Sequence, residues 1–195
     1  LSSLSDPFAD MEPPDNPTSR TYQCTTSTTS TTITRLKGKK LEEETVQLTT
    51  TQASLLPGTY REIDTSCDTT LASGIYVIDG GRLKVNAQYD FTGNGVMFVL
   101  KNGAYLEING GANISLTAPT VVQLEAAGVF DPRLAGMLVF EDRTSTGTDR
   151  SKINGDAATV LNGTIYLPNS GIDFTGTAKV TSQCLMIAAD TITIS

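Results

Sequence analysis

Residues 74–101, GIYVIDGGRLKVNAQYDFTGNGVMFVLK, contain the pattern that decides the fold. Two segments, 75–78 and 96–100, are apolar at every position, and two shorter segments between them, 83–85 and 89–91, alternate apolar and polar residues. Gly and Asn separate the segments, and these residues tolerate the positive φ values that tight corners require. Three short strands in about 20 residues form the repeating unit of a stacked β-coil.

The same unit recurs towards the end of the chain. Further apolar runs lie at 137–140, 165–167 and 185–188, with alternating strands between them and insertions expected at 119–135 and 143–150. A β-sandwich, the alternative, would not repeat strand types in this order. The recurrence predicts an all-β fold: a right-handed, three-sided parallel β-helix (β-solenoid) of about four to five coils over 56–195.

The strands that are apolar throughout must be covered on both faces. An uncovered patch of that extent would exceed what most soluble monomers tolerate. We expect residues 33–56 to be the cover, because this segment holds a set of spaced apolar residues, Ile33, Leu36, Leu41, Val46 and Leu48. The inserted loop and a partner subunit are the alternatives.

Residues 1–55 differ in composition and are predicted to form an irregular N-terminal arm that packs on the solenoid. Residues 1–16 are rich in Pro, Asp and Ser, and 25–34 are nearly all Thr and Ser. Such segments bury little apolar area. We interpret the Thr tract as a linker, with an ice-facing or glycosylated tract as the alternative. The cations at 37–40 and the acids at 42–44 indicate a solvated loop.

Composition excludes several classes of function. The net charge is −7 and there is no histidine and no tryptophan. Imidazole-based catalysis and histidine zinc sites are therefore excluded. An acidic chain whose one cationic cluster, at 37–40, is followed at once by acids is unsuited to nucleic acid. No stretch reaches the roughly 18 apolar residues of a membrane span. The chain opens on no signal-peptide pattern, so we expect a mature product or an excised fragment.

The three cysteines, Cys24, Cys67 and Cys184, form no CxxC unit and are too few for a closed structural zinc site. We predict one disulfide, Cys24–Cys67, that ties the arm to the first coil, with Cys184 buried and free. Three unpaired buried thiols are the alternative. A disulfide favours an oxidising, extracytoplasmic compartment.

Two sets of polar residues are candidate sites. Glu141, Asp142 and Arg143, with Asp149 in the following loop, could supply an acid, a base and an anion clamp for polysaccharide cleavage. A solvated corner of mutually paired charges is the favoured alternative. Threonine rows suited to ice or carbohydrate are the second set, but only two poor ones are found, at Thr191 and Thr193 and at Thr175 and Thr177, and β-propensity explains them.

Several strings resemble, in the same order, the C-terminal part of TadG-like proteins from bacterial Tad/Flp pilus loci. They are LPGTY at 56–60, GIYVIDGG at 74–81, GNGV at 93–96, LTAPT at 116–120, AGMLVFEDR at 135–143, ING at 153–155, LNGTIYLP at 161–168 and AADTI at 188–192. The second PGxY-like string, ASGIY at 72–76, lacks its proline, and Arg61 stands where relatives often have Cys. The resemblance covers residues 56–195 and implies an envelope or cell-surface location, a part in pilus assembly or adhesion, and no catalytic residues.

The sequence therefore predicts a non-catalytic, extracytoplasmic structural or adhesive domain that needs no metal or cofactor. The expected partners are other pilus or envelope proteins, or a host or surface ligand. A polysaccharide-acting β-helix enzyme and an ice- or carbohydrate-binding solenoid are the alternatives.

Overall fold

The computed structural model describes residues 6–111, 113–146, 150–155, 159–175 and 184–195, and strands are the main regular structure in these ranges. One α-helix, α1 (Val121–Ala126), and one 3-10 helix (Pro132–Leu134) interrupt the strands. In chain order the strands are β1 Ser19–Arg20, β2 Thr25–Lys37, β3 Lys40–Leu55, β4 Gly58–Tyr60, β5 Ile63–Asp64, β6 Asp68–Leu71, β7 Gly74–Asp79, β8 Arg82–Val85, β9 Phe91–Asn94, β10 Val96–Lys101, β11 Tyr105–Asn109, β12 Ile114–Thr117, β13 Met137–Glu141, β14 Ser151–Asn154, β15 Thr159–Thr175 and β16 Leu185–Ile194.

Most strand pairs are parallel, and they form three ladders. The apolar ladder joins β1, β4, β7, β10, β13, β15 and β16. The charged ladder joins β5, β8, β11 and β14 to the end of β15, which pairs with β16. The hydroxyl ladder joins the end of β3 to β6, β9, β12 and the start of β15. This all-β, mostly parallel arrangement is compatible with a β-solenoid.

The apolar ladder separates two hydrophobic cores, as its all-apolar strands predict. Tyr76 pairs with Phe98 and Phe98 with Val139, and these side chains belong to the larger core. The next residue along each strand points the opposite way. Val77, Val99, Phe140 and Tyr166 accordingly stack in register in a second core on the other face of the ladder.

The cover of that second face is not the segment 33–56, so this prediction is wrong. Leu124 of α1 and Leu134 of the 3-10 helix are buried against the face, together with Met11 and the half-buried Phe8. The insertion predicted at 119–135 is thus the main cover. It folds locally because Thr120 and Gln123 form a capping box that satisfies the first amides of α1.

The prediction of an irregular arm is also wrong for residues 25–55, since β2 and β3 form an antiparallel hairpin. Thr25 pairs with Gln52 at one end and Lys37 with Lys40 at the other, where Gly38 turns the chain with a φ of 70°. The Thr-rich tract forms a strand because β-branched side chains favour extended backbone once a partner strand is present. The Lys and Glu run lies at the tip of this hairpin and along β3.

The charged ladder fixes its register with side chains of alternating sign. In successive strands, Asp64 pairs with Lys84, Lys84 with Glu107, Glu107 with Lys152 and Lys152 with Asp173. Opposite charges on neighbouring strands stabilise this alignment. Shifting a strand by one residue would turn its charges into the interior, so the register is strongly specified.

The disulfide prediction is confirmed: Cys24 and Cys67 are joined, with their Cα atoms 6.2 Å apart. The bridge closes a loop across a sequence separation of 43 residues, which stabilises by about 3–4 kcal/mol on chain-entropy grounds. Cys184 is free, as predicted, but it is exposed rather than buried. It lies at the corner before β16, where its carbonyl accepts a hydrogen bond from Gly163 N at 2.8 Å and its side chain is outside the core.

The two assignments of the cover differ in which of two leucine substitutions lowers the free energy of unfolding more. Leu124→Ala should lower the free energy of unfolding by about 2–4 kcal/mol, because it opens a cavity over the apolar ladder. Leu48→Ala, in the hairpin, should change it by less than about 0.5 kcal/mol, because Leu48 is 66% exposed. Urea titration followed by circular dichroism measures both. A larger loss for Leu48→Ala would show that the hairpin is the cover.

Candidate functional site

Glu141, from the predicted carboxylate cluster, is a buried structural residue. It ends β13, is fully inaccessible to solvent, and accepts a hydrogen bond from Asn169 N to Oε2 at 2.8 Å. The side chain of Asn169 donates in return to the carbonyls of Asp142, Arg143 and Ser145. Glu141 and Asn169 thus hold together the turn after β13 and the bend within β15.

Burial raises the pKa of Glu141, and hydrogen bonds from Asn169 and Ser170 oppose the shift without cancelling it. The second oxygen, Oε1, has no hydrogen-bond partner in the described part of the chain. A carboxyl group sealed in this way can change protonation state, but it has no open path to a polymer on the surface.

The other members of the cluster point in different directions. Asp142 Oδ1 accepts from Thr144 N and from Thr144 Oγ1, both at 2.8 Å, so Asp142 caps the turn that follows β13. Arg143 reaches across to Asp6 and Tyr166. Asp149 lies outside the described residues. Glu141, Asp142 and Arg143 are consecutive in sequence, yet they do not converge on a shared cleft.

Arg143 instead belongs to a contact that attaches the N-terminal segment to the outer face of the apolar ladder. Its guanidinium lies 5.5 Å from the centre of the Tyr166 ring and binds both Asp6 and the tyrosine hydroxyl. Tyr166 OH donates to Asp6 Oδ2 at 2.8 Å, and Phe8 meets the same ring edge-on. Burial raises the pKa of Asp6, but hydrogen bonds from Phe8 N, Tyr166 and Arg143 outweigh it and hold the pKa below its ordinary value.

The threonines of β16 do not form a free hydroxyl row. Arg150 donates to Thr191 Oγ1 at 3.1 Å and to Thr193 Oγ1 at 2.6 Å, and it also pairs with Asp173. Thr175 donates to Asn154 Oδ1. Thr177, the other residue of the predicted rows, lies outside the described residues. These hydroxyls bind other parts of the protein, which makes them poor candidates for an ice-facing surface.

A polar cleft of about 920 Å³ lies where β5, β8, β11 and β14 of the charged ladder end. Amide and hydroxyl side chains, glycine backbone, one carboxylate, Asp64, and one aromatic ring, Tyr89, line it. Its floor is an asparagine ladder: Asn86 donates to Asp64 Oδ1 at 2.8 Å, and Asn154 donates to Asn109 Oδ1 at 3.0 Å. Neutral hydrogen-bonding groups beside an aromatic ring are a chemistry that suits a sugar.

The most unusual surface belongs to the hairpin, residues 25–51, which the sequence prediction missed. On its hydroxyl face Thr26 bonds Thr51 at 2.9 Å and Thr28 bonds Thr49 at 3.2 Å. The opposite, mixed face carries Ile33, Val46 and Leu48. Two uncharged runs, 25–34 and 45–51, flank a glycine turn, and this pattern was the available signal for a hairpin.

The hairpin exposes apolar side chains that nothing in the described structure covers. Leu36 and Leu41, which pair at its tip, are 70% and 73% exposed, and Leu48 is 66% exposed. Ion pairs at the tip, such as Arg35–Glu44 at 3.6 Å, are exposed and contribute little to stability. An isolated two-stranded hairpin is at best marginally stable in water. These features are typical of a surface that contacts a partner.

Neither a metal centre nor a membrane span is found in the part of the chain that the structure describes. No three His, Cys, Asp or Glu side chains there are grouped closely enough to hold a metal ion. Neither of its helices has the length and apolar character needed to cross a bilayer.

Comparison with known proteins gives no relative: no family model, no curated protein and no solved structure matches the chain.

The raised pKa of Glu141 predicts a pH-dependent effect of Glu141→Gln. A carboxyl with a raised pKa in the folded state contributes stability that is fully present below its unfolded pKa, near 4.5, and lost as the pH rises through the folded value. The melting temperature of the wild type relative to Glu141→Gln should therefore fall between pH 4 and pH 8. Glu125→Gln, at an exposed position, should show no such trend, and a flat difference for Glu141→Gln would contradict the assignment.

Proposed function

We propose that the chain is a non-catalytic, extracytoplasmic structural or adhesive domain built on a right-handed three-sided β-solenoid. The parallel ladders and the Cys24–Cys67 disulfide support the proposal, since nearly all parallel crossover connections are right-handed and disulfides persist in oxidising compartments. The collinear TadG-like strings at 56–195 make a pilus or envelope assembly the proposed setting. Other envelope subunits or a surface ligand are the proposed partners.

The observation that carries this proposal is the exposed hairpin. At about 3.3 Å per residue, its 13-residue strand β2 is about 40 Å long, and all but one of the β2 side chains are exposed. A segment of that length with both faces open contributes little to the core. Its conformation is better explained by contact with another molecule.

The base of the hairpin is held firmly on both strands. Cys24, directly before β2, is bonded to Cys67, and residues 52–55 of β3 pair with β6. Fixing both strands lowers the entropy that the hairpin would lose on binding. The stacked ladders beneath provide the rigid support that a spacer or adhesive tip requires.

Shortening the hairpin tests this function. A variant that joins Thr26 to Thr51 through Asn-Gly keeps the base pairs and forms a two-residue β-turn. Its melting temperature should stay within a few degrees of wild type, because the removed residues are exposed. Beads coated with it should lose most of the retention that wild-type beads show on bacterial cells and on glass under flow.

The matched control is Leu56→Ala, which changes an exposed apolar residue outside the hairpin, 52% accessible. Beads carrying this variant should be retained like wild type. Full retention of the shortened variant would contradict a function that depends on the hairpin.

Carbohydrate binding at the polar cleft is the second candidate function, favoured by Tyr89 beside the asparagine ladder. Sugars stack on aromatic rings and bond to amides and hydroxyls. The groups in this cleft are mostly neutral, so neutral rather than uronic glycans are the proposed ligands.

One panel of neutral and uronate glycans tests both this candidate and the enzymatic alternative. We expect no cleavage with or without divalent ions; cleavage lost in Asp142→Asn would contradict a non-catalytic domain.

Tyr89→Ala should weaken any glycan retention by about tenfold, the effect of losing about 1.4 kcal/mol of contact. Phe130→Ala removes an exposed ring outside the cleft, 78% accessible, and should have no effect. Equal retention by both variants would exclude the cleft.

A further inference from the structure

Over residues 25–33, the outer edge of β2 lacks the features by which proteins protect exposed strand edges. Native edges are usually short, or carry charges, proline or bulges that prevent pairing with another chain. Residues 25–33, TTSTTSTTI, contain no charge, no proline and no glycine. In the described structure β2 pairs with β3 alone, so its other edge is open along its whole length.

We infer that this edge pairs with the same edge of a second copy of the chain. The two β2 strands would run antiparallel, with Thr29 facing Thr29 of the second copy, so that two hairpins form one four-stranded sheet. The inference rests on the proposed function of the hairpin as an interaction element, and it names the partner.

The sequence of the edge favours a second copy over an unrelated strand. Pairing 25–33 with itself places Thr or Ser opposite Thr or Ser at seven of the nine positions and Thr25 opposite Ile33 at each end, and such cross-strand pairs are favourable. A symmetric antiparallel pair must be centred on a residue for both strands to keep the same faces, and Thr29 is the midpoint of residues 25–33. The four cations at 35, 37, 39 and 40 stay outside the paired region.

Charge does not oppose this arrangement. Antiparallel pairing carries the tip of each hairpin past the base of the other, towards the second body. Residues 35–44 at the tip hold four cations and three acids, and Arg35 and Lys37 are paired with Glu44 and Glu42. The tip is therefore close to neutral, so it can approach a chain with a net charge of −7 without repulsion.

The number of contacts is adequate for a specific complex. Nine paired residues in an antiparallel ladder exchange about eight to ten backbone hydrogen bonds, and a typical specific interface has about ten. On the mixed face, Leu48 of each copy flanks the central Thr29 pair. The apolar strip of one hairpin is thereby continued by that of the other.

Sedimentation velocity over a range of concentrations tests the inference with the full chain. The wild type should associate reversibly to twice 20.7 kDa. Thr29→Lys and Thr29→Glu should each weaken this association by about tenfold or more, because like charges would face each other at the centre of the sheet. An equimolar mixture of the two variants should restore it, which a general defect in folding could not do.

Leu48→Lys is the matched control. Leu48 pairs with Thr29 within the hairpin and lies on the same face, but on β3 rather than on the open edge. It should leave the dissociation constant within about threefold of wild type, since its charge lies a full strand further from the symmetry axis. A loss as large as that of Thr29→Lys would place the contact on the face or on β3 and overturn the edge pairing.

The remaining outcomes separate this inference from the proposed function. A wild type that stays monomeric or grows into open polymers overturns pairing with one second copy. So does a mixture of Thr29→Lys and Thr29→Glu that fails to associate. If its beads are still retained through the hairpin, the proposed function stands and the partner is a different molecule. If retention is also independent of the hairpin, both proposals fail.

Discussion

Burial of the apolar ladder on both faces constrains the rest of the structure. Its strands supply aromatic and aliphatic side chains to the larger core, and the alternate side chains need a second layer on the other face of the ladder. Each large side chain buried in this way contributes about 1.5–3 kcal/mol. The insertion 119–135 and the N-terminal residues Phe8 and Met11 supply that layer. The insertion between β12 and β13, which resembled a loop in sequence, is therefore part of the second core.

Polar groups in the body mainly hold this stack together. The sealed carboxyl of Glu141 closes a turn, Arg143 fastens the N-terminal segment to Tyr166, and the charged ladder aligns its strands by alternating sign. A polar group whose hydrogen-bond partners all lie inside the protein has few free donors or acceptors for a substrate. The surfaces available for contact are those with unused groups, the polar cleft and above all the hairpin.

The hairpin and the body follow different physical rules. The body is specified by burial, so its register is fixed by which side chains face inward. The hairpin buries almost nothing and depends on backbone pairing, the β-propensity of threonine and its two anchors at the base. Its uncharged edge is a disadvantage for an isolated monomer and an asset for an element that binds another strand.

The abundance of short strands and their type could be predicted from the sequence, because periodicity and corner residues are local properties of the chain. The need for a second cover over the apolar strands followed in the same way. The Cys24–Cys67 bridge joins distant residues; it was one of three possible pairs among the three cysteines, and the structure confirms it. The sequence did not show which segment provides the cover. Leu124 and Leu41 are both spaced apolar residues, and only the tertiary structure decides which of them reaches the ladder. For the same reason, neighbours in sequence such as Glu141, Asp142 and Arg143 separate in space: successive side chains on a strand and turn point in different directions. The Thr tract forms a strand because the chain turns at Gly38 and β3 pairs with β2. Composition alone does not show this pairing.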